Sequence, residues 1–116
     1  MQNLYKILAL RNEQKNKYFK NVLHYGKKIK QAALRLLPDA RVILFGSAVK
    51  GEYQADSDFD ILIITDQQLK DPFAQAKIKV KILKLFSDGP FEIHISNKEQ
   101  FEKWYSRFMK KDYIEV

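Results

Sequence analysis

Residues 44–65 read LFGSAVKGEYQADSDFDILIIT. A Gly-Ser pair closes one apolar run, and two aspartates separated by one phenylalanine open another. The first run, RVILFG (41–46), is short, β-branched and ended by glycine, which predicts a strand. The second, FDILIIT (59–65), is apolar on both faces after Asp60, as in a strand covered on both sides. Residues two apart in a strand share a face at about 7 Å, so Asp58 and Asp60 are expected to project together. At an effective dielectric near 20 their repulsion is on the order of 2 kcal/mol. A divalent cation removes that cost, and hard oxygen donors at this spacing suit Mg²⁺. Taken alone, the Asp-x-Asp also reads as a solvated turn.

A third strand is expected at FEIHIS (91–96), entered through Asp88, Gly89 and Pro90. Its Phe91, Ile93 and Ile95 face one way, and Glu92 and His94 the other. The intervening DPFAQAKIKVKILKLFSDG (71–89) carries two patterns. Lys77, Lys79 and Lys81 alternate with apolar residues as in a strand, while Phe73, Ala76, Val80 and Leu83 recur at helical spacing. Asp71 followed by Pro72 looks like an N-cap and first helical residue. Parallel strands also need a long crossover, so helix is preferred.

Upstream, Phe19, Val22, Leu23, Gly26, Ile29, Ala33 and Leu36 form one stripe of a helix over 14–37, ended by Pro38. Leu4, Ile7 and Leu8 indicate a short helical turn before it. At the other end, Phe101, Trp104, Tyr105, Phe108 and Met109 repeat as the apolar stripe of an amphipathic helix, read as core packing. Ser96 and Glu99 fit a capping box at its start. The expected fold class is α+β: a small mixed sheet of about three strands packed with helices, in the order helix, strand, turn or helix, strand, helix, strand, helix. One domain spans 1–116, with a helical region at 1–37, a core at 41–96 and a C-terminal helix at 97–112.

Composition narrows the function classes. A chain of 116 residues fits one domain. It has no cysteine, so disulfides and thiolate zinc sites are excluded. No apolar run approaches the ~20 residues of a membrane span, and no signal-peptide cleavage site is read at the N-terminus. A cytoplasmic location is the default expectation. The net charge of +7 is uneven: +8 over 1–37, −4 over 38–71 and +3 over 72–116. Basic flanks steer phosphates, but surface lysines also serve solubility, and a nucleic-acid role is not the favoured reading.

The Gly-Ser pair changes the weight of the aspartates. Gly46 has no Cβ to obstruct a ligand, and Ser47 can cap a short following segment whose free N–H groups attract phosphate oxygens. One loop thus offers donors for a triphosphate, and the next strand offers carboxylates for its magnesium. GSAVKGEYQADSDFDILI resembles the signature of the DNA polymerase β-type nucleotidyltransferase superfamily, matching at Gly46, Ser47, Gly51, Ser57, Asp58 and Asp60. Size and element order resemble its minimal nucleotidyltransferases. The resemblance implies that Gly46 and Ser47 hold the β- and γ-phosphates of a nucleoside triphosphate, with ATP favoured. Ser57 belongs to the nucleotide-binding motif, and Lys50 falls where a basic residue often contacts the triphosphate. Asp58 and Asp60 would bind two Mg²⁺ ions. A third carboxylate, usually aspartate, would share one of them and help deprotonate the acceptor. This chain offers Glu92 there, with His94 on the same face as the fallback.

The resemblance further implies a magnesium-dependent transfer of a nucleoside monophosphate to an acceptor hydroxyl. In the minimal family the partner is often a small helical HEPN-domain protein, modified on tyrosine by its antitoxin nucleotidyltransferase. Two other classes stay open at this point. One is a non-catalytic nucleotide-binding or antitoxin subunit with a degenerate site. The other is a basic nucleic-acid-binding module built on the lysine-rich helix.

Overall fold

The computed structural model describes residues 4–6, 13, 17–51, 58–69, 71–86, 89–110 and 112–116. Helix α1 (Val22–Leu36) is followed by strand β1 (Arg41–Phe45), the short helix α2 (Ser47–Lys50) and strand β2 (Phe59–Ile64). Helix α3 (Pro72–Leu83) then leads through a 3₁₀ turn (Lys84–Phe86) to strand β3 (Phe91–Ser96). The chain closes with α4 (Lys98–Gln100), a π turn (Phe101–Tyr105), α5 (Ser106–Met109) and β4 (Tyr113–Glu115).

The sheet order is β3-β2-β1-β4. β1 pairs antiparallel with β2 and with β4, while β2 and β3 run parallel. The parallel pair needs α3 as its crossover, which settles the conflicting pattern in favour of helix. Asp71 caps it by accepting a hydrogen bond from Ala74 N at 2.7 Å, and Pro72 takes the first position, where no N–H is required.

Strand alternation gives the sheet two faces. On one, Val42, Leu44, Phe59, Ile61, Ile63 and Ile93 form the main core with Ile29 and Ala33 of α1. A Cβ at Gly26 would lie 2.7 Å from Leu44 Cδ1, so this glycine lets α1 settle directly on β1. Tyr18 and Phe19, in a helical turn at 17–20, are buried in the same core. Leu23 leaves the expected stripe and is 50% exposed. On the other face, Ile43, Phe45, Leu62 and Ile64 pack under Phe101 and Met109.

The C-terminal region departs from the sequence expectation in three ways. Strand β4 adds a fourth strand, so the helix stops at Met109 and not at residue 112. Val116 N donates to Val42 O, and Arg41 forms two hydrogen bonds to the Glu115 carboxylate, at 3.0 and 2.7 Å. The capping box lies one residue later than expected. Asn97 Oδ1 accepts from Gln100 N and Gln100 Oε1 from Asn97 N, because Ser96 is still the last, buried residue of β3. Finally, the aromatic stripe is split. Ser106 N–H bonds to Phe101 O, five residues back, and this wider turn returns Met109 to Phe101's side. Phe101 and Met109 are buried, whereas Trp104 and Phe108 are 74% and 80% exposed. Among the described residues, no helix is long and apolar enough to cross a membrane.

Candidate active site

The candidate site lies at one rim of the second face. β1 ends at Phe45, and Gly46 turns the chain with φ +74° and ψ −151°. That conformation favours glycine, and a second constraint acts on the same atom. A Cβ there would collide with Oδ2 of Asp60. The Gly46 backbone and the Asp60 carboxylate are therefore in direct apposition. Ser47, half-buried, opens α2, in which the Val49 and Lys50 amides donate to Gly46 O at 3.2 and 3.1 Å. Gly51, also left-handed at φ +72°, ends that helix.

The parallel register sets Asp60 directly beside Glu92, and His94 follows on the same face next to Leu62. His94 Nε2 stands 3.8 Å from Asp60 Oδ1 and 3.7 Å from Glu92 Oε1. One ligand atom from each of the three residues lies within 4.8 Å of the other two. The Asp60 side chain is 21% exposed and that of Glu92 52%. Burial, reinforced by the like charge of Glu92 and more weakly of Asp58, pushes the Asp60 carboxyl up to about 6, with His94 acting in the opposite sense. Among the described residues, the nitrogen that stands beside both carboxylates is His94 Nε2, with no lysine or arginine paired to them. Two carboxylates gathered without a fixed cation suit a hard divalent metal, and the donor set fits Mg²⁺. The imidazole broadens the fit towards Mn²⁺ and Zn²⁺.

The expected site residues thus fall into groups. Gly46, Asp60 and Glu92 converge, and His94 joins them as a full member of the cluster. Asp58 is exposed, stands one residue before β2 and is not part of the three-residue cluster. With no strand pairing to fix it, it acts on Asp60 through charge. Lys50 is exposed and lines a cavity of about 210 Å³ together with Gly46. Ser57 lies outside the described residues. That same cavity also includes Lys110, which no motif in the sequence singles out. The Asp60–Glu92 pairing was equally hidden, since it depends on a parallel register.

A nucleotidyltransferase domain family matches residues 27–116, most of the chain. A crystal structure of a protein named provisionally as a nucleotidyltransferase is similar at 35% identity, with a TM-score of 0.62, over 78% of this chain and 95% of that one. A second such protein, from Sulfolobus solfataricus, is 19% identical over 90% of this chain and 84% of its own, with a TM-score of 0.59. A mutant of the toxin–antitoxin pair MntA-HpeT shares the fold at 15% identity and a TM-score of 0.58, covering 78% of this chain and 70% of that one. No curated protein matches the sequence. The chain belongs to the nucleotidyltransferase domain family.

Proposed function

We propose that the protein transfers a nucleoside monophosphate, AMP by preference, from a nucleoside triphosphate to an acceptor hydroxyl. The observation that carries this reading is the apposition of Gly46 to the Asp60 carboxylate, with Asp60 paired in register to Glu92. A phosphate approaching the bare Gly-Ser backbone meets carboxylates able to share a cation with it. Two Mg²⁺ ions held by Asp60 and Glu92, with Asp58 at the mouth, would neutralise polyphosphate charge and lower the acceptor's pKa.

The residues then have separate tasks. Gly46 and Ser47 hold the β- and γ-phosphates, and Lys50 adds positive charge. Ser57 completes the motif. Asp60, the less exposed carboxylate, would hold the cation at the α-phosphate end. Glu92, the more exposed, receives the proton of the acceptor hydroxyl, and His94 holds both carboxylates in place. The acceptor oxygen bonds to the α-phosphorus, the bond from that phosphorus to the β-bridging oxygen breaks, and pyrophosphate leaves. The resemblance to minimal nucleotidyltransferases supports a HEPN-type helical protein as the acceptor, with this chain as its antitoxin.

The test is incubation with labelled ATP, Mg²⁺ and the product of the neighbouring gene. Labelled partner should appear with the wild-type chain and not with Asp60→Ala. Equal labelling by both would overturn the assignment. A second reading, a nucleotide-binding subunit without transfer, is favoured by the position of Asp58 outside the cluster. Mg²⁺-dependent ATP binding with no label on any acceptor would select it.

A further inference from the structure

Two cavities flank the acidic cluster, one walled mainly by aromatic rings and the other carrying two lysines. One, about 660 Å³, is bounded by Phe45, His94, Gln100, Trp104, Tyr105 and Phe108. Its size suits a small-molecule site. The Phe45 and Tyr105 rings lie 5.5 and 6.4 Å from that of His94, so the aromatic wall continues directly from the cluster. Trp104 and Phe108 are the large side chains that the π turn leaves outside the core. Carboxamides of Gln75 and Gln100 stand at the far end, where this cavity meets a polar one that includes Ser96. The Ser96 hydroxyl is buried with no hydrogen-bond partner.

The other cavity, about 210 Å³, lies on the Gly46 side and brings Lys50 and Lys110 together with one carboxylate, Asp112, which leaves the lysines in excess. Lys110 has φ +53° and ψ −119°, a backbone conformation that lysine rarely adopts. Strain of this kind at a cavity wall is more often found where a side chain is held for a ligand. Phe45 and Phe108 border both cavities.

We propose that this pair of cavities fixes the direction of the bound nucleotide, with its base stacked in the Trp104–Phe108 cavity and its polyphosphate in the Lys50–Lys110 cavity. The inference rests on the nucleotidyltransferase reading and deepens it. Stacking accepts any base face, while the Gln75 carboxamide and the Gln100 side-chain NH₂ supply hydrogen-bonding groups for a heterocycle's edge. Lys110 becomes a phosphate-binding residue, and Trp104 a base-binding one.

Trp104 is the chain's only tryptophan, so its emission reports on the aromatic cavity alone. The full chain with Mg²⁺ is titrated with ATP and, separately, with inorganic triphosphate. ATP should quench the emission saturably, and triphosphate should bind without comparable quenching. By calorimetry, Trp104→Ala and Phe108→Ala should each weaken ATP about tenfold or more, and Trp104→Ala, which touches only the aromatic cavity, should leave triphosphate unchanged. Lys110→Gln should weaken ATP and triphosphate but not AMP. ATP binding with unchanged emission and wild-type affinity in both aromatic variants would overturn the proposal while leaving the nucleotidyltransferase reading intact. Absence of both ATP and triphosphate binding would remove that reading and this inference with it. Quenching by a partner protein, with none by nucleotide, would assign the aromatic surface to protein docking instead.

Discussion

The two faces of the sheet differ in what they ask of the same strands. Along β1 and β2, the face under α1 is buried from end to end. Ile61 and Ile63 of β2 are fully buried there, and its glycine, Gly26, serves close packing. The opposite face is dry only in part. Leu62 and Ile64 are buried beneath Phe101 and Met109, but two residues towards the start of β2 the same row carries Asp60. There the helix cover gives way to a charged rim, and the corresponding glycine, Gly46, makes room for a carboxylate. One face holds the fold together, and the other gives up some stability to gather anions.

The largest effects should separate the two faces most sharply. Asp60→Ala is expected to reduce transfer at least about a hundredfold without lowering the melting temperature. Its neighbour on the dry face, Ile61→Ala, should cost about 2–5 kcal/mol of stability through the cavity it leaves. Chemical denaturation and labelling assays on the two variants check both halves. If Asp60→Ala proved as destabilising as Ile61→Ala, the division between the faces would not hold.

Next in size is a pH effect confined to the rim. The fold raises the Asp60 carboxyl from the ordinary 3.8 to about 6, so it favours the protonated form. This contribution is therefore fully present below about pH 4 and is lost as pH rises through about 6. In metal-free buffer, Asp60→Asn should be the more stable protein at pH 7, by about 1–2 kcal/mol after discounting for solvent screening at this rim. The two should converge near pH 4. Mg²⁺ binds the ionised form, so it should raise the wild-type melting temperature at pH 7.5 and hardly at all at pH 5. Melting curves with and without chelator give the answer.

Gly46→Ala should cost about 1–2 kcal/mol, since it combines a positive φ with a methyl group placed against the Asp60 carboxylate. It should also impair transfer, which a substitution at Gly51 would not do by contact, because the space around Gly51 is open. The smallest effect belongs to Trp104→Ala. At 74% exposure, this variant should change stability by no more than about 0.5 kcal/mol. A large loss would mean that Trp104 belongs to the core after all.

The legible parts of the chain were those where local chemistry and burial agree. β2 is apolar on both faces because both faces are covered. The capped, proline-led start of α3 outweighed its strand-like lysine alternation once a parallel crossover was required. The Gly-Ser and Asp-x-Asp motifs could be read because each element ends with a distinctive residue. What stayed hidden depends on partners far away in sequence. β4 is only Tyr113–Glu115, too short to show alternation, and is held by β1 seventy residues earlier in the chain, including Arg41 on Glu115. The π turn has no sequence signature, so a stripe that is continuous at 3.6 residues per turn divides into buried and exposed halves. His94 looked like a fallback ligand because only the register with β2 shows how near it stands to Asp60.

Whether the carboxylates beside Gly46 hold the cation is decided by the binding of Mn²⁺, as a paramagnetic stand-in for Mg²⁺, in the presence of ATP. Wild-type protein should give a saturable bound signal at pH 7.5, and Asp60→Asn and Glu92→Gln should each lose it while remaining folded. Bound Mn²⁺ at wild-type affinity in both variants would show that the carboxylates beside Gly46 are not where the cation and nucleotide meet.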